Sequence, residues 1–211
     1  YFEKSNSVST DSRSIKKGSI FFALKGDNFD GNKFAEKAIK DGASYAVVDD
    51  HTLNHSQYIK VDNVLKSLQS LSKFHRSKLL KTKIIALTGS NGKTTTKELI
   101  NQVLKTKFNV SSTIGNLNNH IGVPLTLLKI DPLAEFAIIE MGANHLNEIK
   151  FLTELVNPDF GLITNFGKAH LEGFGSLKGV IKGKSELYNF LISNNKVAFI
   201  NNDDEIQKIE K

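Results

Sequence analysis

The sequence predicts an α/β protein in two parts: a small N-terminal α/β domain over residues 1–80, then a parallel-sheet domain over 81–211 that is incomplete at its C-terminus. Three observations predict it. Beyond Lys81, apolar runs at 84–87, 136–139, 161–164 and 197–200 alternate with helical stretches, the pattern of parallel strands with helices on both faces. At 84–104 an apolar strand runs into a Gly-rich turn and then a helix. Before residue 81, shorter apolar runs and one long amphipathic stretch form a unit of their own.

Taken in order, residues 19–24 (SIFFAL) read as a buried strand, followed by a Gly/Asp/Asn-rich loop over 26–32. A helix follows, with Phe34, Ala35, Ala38 and Ile39 on one face and Gly42 as its stop. Residues 45–48 and 58–61 read as short strands joined by a polar stretch holding His51 and His55. Val64, Leu65, Leu68, Leu71, Phe74 and His75 recur at helical spacing, so an amphipathic helix is expected to bridge the two domains and end near Leu80. Near the other end, Asp203 or Asp204 reads as a helix N-cap, and Ile206 and Ile209 begin an apolar face just before Lys211. A sheet cut off there predicts a fragment of a longer enzyme. A chain opening at Tyr1 predicts a natural N-terminus further upstream.

With 211 residues and 39% hydrophobic content, the chain can bury one substantial core or two modest ones. It has no cysteine, so any metal must sit on oxygen or imidazole ligands, and a reducing cytoplasm is the expected setting. The net charge of +6 comes from lysines scattered along the chain, not from a basic run interleaved with aromatics. That favours a solvated surface with a few phosphate-binding lysines over a nucleic-acid partner. No apolar stretch approaches the roughly 20 residues of a membrane span, so no membrane insertion is expected.

The segment TGSNGKTTT at 88–96 carries the chemistry. Glycines let the backbone curl so that N–H groups and the helix N-terminus point at phosphate oxygens, Lys93 adds charge there, and the Thr94 hydroxyl is placed for Mg2+. Gly89, Ser90, Asn91, Gly92, Lys93, Thr94 and Thr95 are therefore the expected phosphate-binding residues of ATP or a close relative. The strict pattern would place Gly at 87, where this chain has Leu87, so Gly89 supplies the turn. The apolar face of the following helix is read as Leu99, Ile100, Val103 and Leu104. A carboxylate at a strand tip is often merely solvated, but Glu140, ending FAIIE beside this loop, reads as a ligand of Mg2+ or its water. His145 and His170 each follow an apolar run, where this architecture gathers its ligands; spacing alone leaves His170 open between ligand and loop residue. His75 reads as a packed interface residue, and His51, His55 and His120 as surface or loop residues. Lys178, Lys182 and Lys184 share one amphipathic helix and, from pattern alone, a solvated face.

Four segments together resemble one family: TGSNGKTTT at 88–96, GNLNNHIGVP at 115–124, IEMGAN at 139–144 and ITNFGKAHLEGFGS at 163–176. They resemble the Mur ligases of peptidoglycan synthesis. TDSR at 10–13, GSIFFALKG at 18–26 and Asp30-Gly31 are similar to that family's first domain, so the resemblance covers nearly the whole chain. It implies a UDP-substrate-binding domain followed by a P-loop ATPase domain, and an ATP- and Mg2+-dependent ligase that forms a peptide bond through an acyl phosphate. The branch implied adds D-alanyl-D-alanine to UDP-MurNAc-tripeptide, in the bacterial cytoplasm and as a monomer. By the same resemblance Lys93 binds phosphate, Thr94 and Glu140 serve one Mg2+, and His170 ligates a second. Lys184, in GKSELY at 183–188, matches a lysine that these ligases carry as a carbamate, a carboxylate-like metal ligand. Ser12 and Arg13 match a motif holding the UDP-sugar end of the substrate, and Asn116, Asn118 and Asn119 a segment lining the nucleotide-sugar and peptide channel. Two departures stand out: Asn32 where His often follows Asp-Gly, and His120 where Asp often follows Asn-Asn.

The resemblance also implies that the ATPase domain of full-length relatives continues further and precedes a C-terminal domain with adenine and amino-substrate contacts. The 211 residues alone are thus expected to be inactive. Two other readings stay open: the ligase that adds the third, diamino residue of the stem peptide, and a non-catalytic module that only senses ATP.

Overall fold

The computed structural model describes residues 1–2, 5–167 and 171–209. The chain divides into two compact units, Tyr1–Ser72 and Lys73–Lys211.

The first unit is a four-stranded parallel sheet with one long helix. Strands β1 (Ser7–Ser9) and β2 (Ser19–Phe22) are followed by a small antiparallel hairpin of β3 (Lys25–Gly26) and β4 (Phe29–Asp30), and then by a 3₁₀ turn over Gly31–Phe34 that leads into helix α1 (Ala35–Lys40). Strands β5 (Tyr45–Val48) and β6 (Tyr58–Lys60) complete the sheet in the order β1-β2-β5-β6. All four positions of β2 are buried, and Phe21, Ala23, Ala35, Ala38, Ala43, Ala46 and Val48 form the core between sheet and α1. Helix α2 (Val64–Lys78) buries Val64, Leu68 and Ser72, whereas Phe74, placed by spacing on its apolar face, is 55% exposed. The division between the units falls inside α2, ahead of the boundary near residue 80 read from the sequence.

In the second unit the elements are β7 (Lys83–Thr88), α3 (Lys93–Lys105), β8 (Val110–Ser112), α4 (Gly122–Leu128), β9 (Phe136–Glu140), α5 (Glu148–Val156), β10 (Phe160–Ile163), α6 (Leu171–Phe174), α7 (Leu177–Ser193), β11 (Val197–Phe199) and α8 (Glu205–Ile209). The five strands are parallel, in the order β11-β10-β7-β9-β8. Helices cover both faces, because neighbouring residues of a strand point to opposite sides. Ala86 and Ile139 belong to the large core shared with α4, α5 and α7, whereas Leu87 and Ile138 belong to a smaller core with Ile100 and Leu104 of α3. The helix at the end is capped by Asp204, whose Oδ1 accepts the Ile206 N–H at 2.9 Å.

One reading of α3 is overturned. Leu99 and Val103, placed by spacing on the apolar face, are 64% and 69% exposed, and the buried residues of α3 are Lys97 and Asn101. The side of the helix facing the strand ends carries polar groups, one of which reaches a backbone carbonyl there. Strand β8 carries no apolar run that predicts it, because VSS at 110–112 is short and only its first residue is fully buried.

Candidate nucleotide-binding site

Strand β7 lies at the centre of the sheet, and the chain leaves it first toward β8 on one side and later toward β10 on the other. This is a switch point, where a crevice opens at the carboxyl ends of the strands. From Thr88 the chain turns into α3 within four residues. Gly89 has a φ of 147°, and a Cβ there would lie 1.8 Å from Thr164 Oγ1; Gly92, with a φ of 76°, is the N-cap. Side chains rarely adopt either conformation, so the backbone dictates both glycines. No side chain caps α3, whose first turn closes with Thr96 N–H donating to Gly92 O. The N–H groups of Lys93, Thr94 and Thr95 are left at the positive end of the helix dipole, a ready site for phosphate.

The turn following β10 clasps this loop. Ser90 N–H donates to Asn165 O at 3.0 Å and Asn91 N–H to Asn165 Oδ1 at 3.2 Å, while Asn91 O accepts from Asn165 Nδ2 at 3.0 Å and from Thr164 Oγ1 at 2.6 Å. Ser90 Oγ adds a bond to Gly167 O at 2.9 Å. Thr164 and Asn165 follow the apolar run of β10, where ligands are expected, but pattern alone gives neither a role and points instead to His170. That residue lies outside the described residues.

Lys93 arches over the loop, its Nζ donating to Gly89 O at 2.8 Å. Burial pushes its pKa below that of an ordinary lysine, against the pull of the Glu140 carboxylate. Glu140, 2% exposed, is paired in register with Leu87 at the strand tips. Its Oε2 accepts from Thr94 Oγ1 at 3.0 Å, its Oε1 from Asn118 Nδ2 at 2.9 Å, and its backbone N–H donates to Thr113 Oγ1 at 3.0 Å. A carboxylate has about four lone-pair sites, so two bonds leave it able to take a cation, as the donating Thr94 hydroxyl is through its own lone pairs. Hydroxyl and carboxylate oxygens are the hard donors that suit Mg2+, so these residues fit the ion that the loop implies. Among the described residues no group of three His, Asp or Glu side chains gathers.

Lys184, read from its pattern as solvated, is 1% exposed, in contrast to the exposed Lys178 and Lys182 of the same helix. Its Nζ sits 5.6 Å from the centre of the Phe174 ring. Burial, and then the positive charge of Lys93, push its pKa down to about 8. A cavity of about 650 Å³ opens beside Lys93, lined also by Asn118, Asn119, His120, Gly142, Ala143, Asn144, Leu146, Asn147, Glu148, Phe151 and Leu152. Asn119 also ties down the turn ahead of α4, its Oδ1 accepting the Ile121 and Gly122 N–H groups. Asn116 is exposed. His145 pairs with Glu148 at 3.3 Å. In the first unit Ser12 is buried, and Arg13 is exposed and held by both oxygens of Asp11, at 2.9 Å each.

A strand–turn–helix at the switch point of a parallel sheet, with a hydroxyl and a carboxylate facing each other beside it, defines a P-loop nucleotide-binding domain. The chain belongs to the Mur ligase family: residues 87–211 match the Mur ligase middle domain, and residues 4–76 match the domain described as Mur ligase family, catalytic domain. It is 41% identical, over 95% of its length, to the UDP-N-acetylmuramoyl-tripeptide–D-alanyl-D-alanine ligase of Bacillus subtilis, of which the match covers 44%. Among solved structures it is similar to MurF of Acinetobacter baumannii, with a TM-score of 0.88 and 35% identity over 96% of this chain and 45% of that one. It is also similar to the MurF ligase of Thermotoga maritima in complex with ADP, with a TM-score of 0.81 and 31% identity over 90% of this chain and 44% of that one. The chain thus spans less than half the length of these relatives.

Proposed function

We propose that residues 1–80 bind the UDP-sugar end of UDP-MurNAc-tripeptide and residues 81–211 bind ATP and Mg2+, as parts of a cytoplasmic ligase that adds D-alanyl-D-alanine to that tripeptide. The observation that carries the reading is Glu140 held against Thr94 at the mouth of the phosphate loop, in a chain about 40% identical to ligases of that name. When bound, ATP supplies the phosphoryl group that turns the tripeptide's terminal carboxylate into an acyl phosphate, and Mg2+ supplies positive charge.

The chain's own residues do the rest. Lys93 and the N–H groups at the start of α3 neutralise phosphate oxygens, which lets one anion approach another. Thr94 and Glu140 hold the metal, and Asn118 keeps the carboxylate turned toward it. His170 ligates a second ion. Lys184 joins as a carbamate: its amine must be neutral to attack CO2, forming the N–C bond and releasing a proton, and a pKa near 8 makes the neutral form accessible. Ser12 and Arg13 contact the UDP-sugar, and Asn116, Asn118 and Asn119 line its peptide channel.

The test is phosphate release by the protein at its native length with UDP-MurNAc-tripeptide and ATP, comparing D-alanyl-D-alanine with a diamino acid as acceptor. Release that depends on the dipeptide is expected. Turnover with the diamino acid in its place would identify the neighbouring ligase, and turnover with neither would leave a nucleotide sensor.

A further inference from the structure

Lys97 takes no part in the chemistry above, yet it is among the largest fully buried side chains of the molecule, 1% exposed. A helix position facing a sheet is ordinarily filled by an aliphatic residue, since burying an ammonium costs free energy unless it is paired. Its Nζ donates to Thr113 O at 2.8 Å and meets Glu98 Oε1 at 3.0 Å. Thr113 is the first residue beyond β8, a three-residue strand at the edge of the sheet. On its other side Thr113 is tied to β9: its N–H donates to Ile138 O at 3.0 Å, and its hydroxyl accepts the Glu140 N–H at 3.0 Å. The same helix carries Lys93 and Thr94 one turn earlier. Two connections therefore join α3 to the tip of β9: the Thr94–Glu140 hydrogen bond, and a brace running from Lys97 through Thr113 to the Glu140 backbone.

We infer that Lys97 is a positioning residue for the cation site: through Thr113 it fixes the distance and orientation of Glu140 relative to Thr94. The brace acts on the metal donors and leaves the phosphate cradle alone, because the N–H groups of the loop and Lys93 depend on Gly89, Gly92 and the Asn165 clasp. The inference rests on the reading of Thr94 and Glu140 as the donors for a divalent ion at a bound nucleotide.

The test is binding, not turnover. ADP affinity is measured by calorimetry in EDTA, and Mn2+ binding to the ADP complex by electron paramagnetic resonance, for the native protein, Lys97→Met and Thr113→Val. Outer-shell partners of metal ligands typically change affinity by about 10-fold or more. Lys97→Met is expected to weaken Mn2+ binding about 10-fold while ADP affinity in EDTA stays within about twofold. Thr113→Val, which keeps the carbonyl and the fold but removes the acceptor of the Glu140 N–H, is expected to act in the same direction. The double variant should be no worse than the poorer single one, since both cut one chain of contacts. Unchanged Mn2+ binding in Thr113→Val, or equal loss of ADP and Mn2+ binding in a folded Lys97→Met, would overturn the inference and leave Lys97 a packing residue. Failure of the native protein to bind ADP at all would instead overturn the nucleotide reading, and the inference with it.

Discussion

Two buried polar networks, one around Asn32 in the first unit and one around Glu140 in the second, differ in how they end. In the first, Asn32 is 3% exposed and spends its whole hydrogen-bonding capacity inside the protein. Its Nδ2 donates to Asp30 Oδ1 and Asp49 Oδ1, both at 2.9 Å, and its Oδ1 accepts the N–H groups of Asp49 and Asp50 at 3.1 and 3.3 Å. Asp49 is closed in turn by Lys25 and by the Val64 N–H. Burial pushes the Asp49 carboxyl up, but these partners hold it below the usual carboxylate range. In the second unit Glu140 is just as buried, yet each oxygen accepts one bond, from Thr94 or Asn118, and retains a lone pair, and Asn118 lines an open cavity together with Lys93. A network that closes on itself fixes a fold; one that keeps unused acceptors beside a cavity has somewhere to put a ligand. Asn32, which stands where the family resemblance leads one to expect His, thus serves the backbone around it.

The largest break in this comparison is expected at Glu140. Glu140→Gln keeps the shape and the bond from Asn118 but removes the charge that holds a cation, so turnover should fall by about 10²–10³-fold with the melting temperature little changed. An equal loss of stability would show that the network is structural after all. The converse is expected at Asn32. Asn32→Ala strands two part-buried N–H groups and should cost about 1–3 kcal/mol in urea unfolding, with ADP affinity unaltered. Loss of ADP binding without loss of stability would reverse the assignment.

How far the sequence revealed these networks follows the same division. The phosphate loop was legible because its glycines, lysine and threonine are contiguous and their backbone geometry follows from residue type. Glu140 was legible because a carboxylate ending an apolar run must sit at a strand tip. What escaped were pairings between segments distant in the chain: Asn165 with Asn91, Lys97 with Thr113, Asn118 with Glu140. Each joins side chain to backbone or to another polar side chain, and no hydrophobic period encodes such a contact. The error in α3 has the same origin. Spacing puts Leu99 and Val103 inside, whereas the helix turns Lys97 and Asn101 inward, and Lys97 meets the carbonyl of Thr113 just beyond β8.

Lys184 sharpens the comparison with the smallest expected effect. It is a buried amine over the Phe174 ring, and the positive charge that acts on it belongs to Lys93. Its pKa, 10.5 in an ordinary lysine, falls to about 8 in the folded protein. Below pH 8 the amine is protonated in folded and unfolded chains alike, and folding bears the full cost of burying the charge. Between about 8 and 10.5 the folded protein has released a proton that the unfolded chain still holds, so stability rises with pH across that window. Lys184→Met should flatten the rise in urea-unfolding free energy measured from pH 7.5 to 10. In native protein supplied with ¹³C-bicarbonate the rise should also shrink, because an amine that has become a carbamate no longer titrates, and a carbamate resonance should appear that Lys184→Met lacks. A rise that survives the substitution would assign the titration to another group. A resonance that survives it would place the carbamate elsewhere, leaving Lys184 as a desolvated cation over the Phe174 ring.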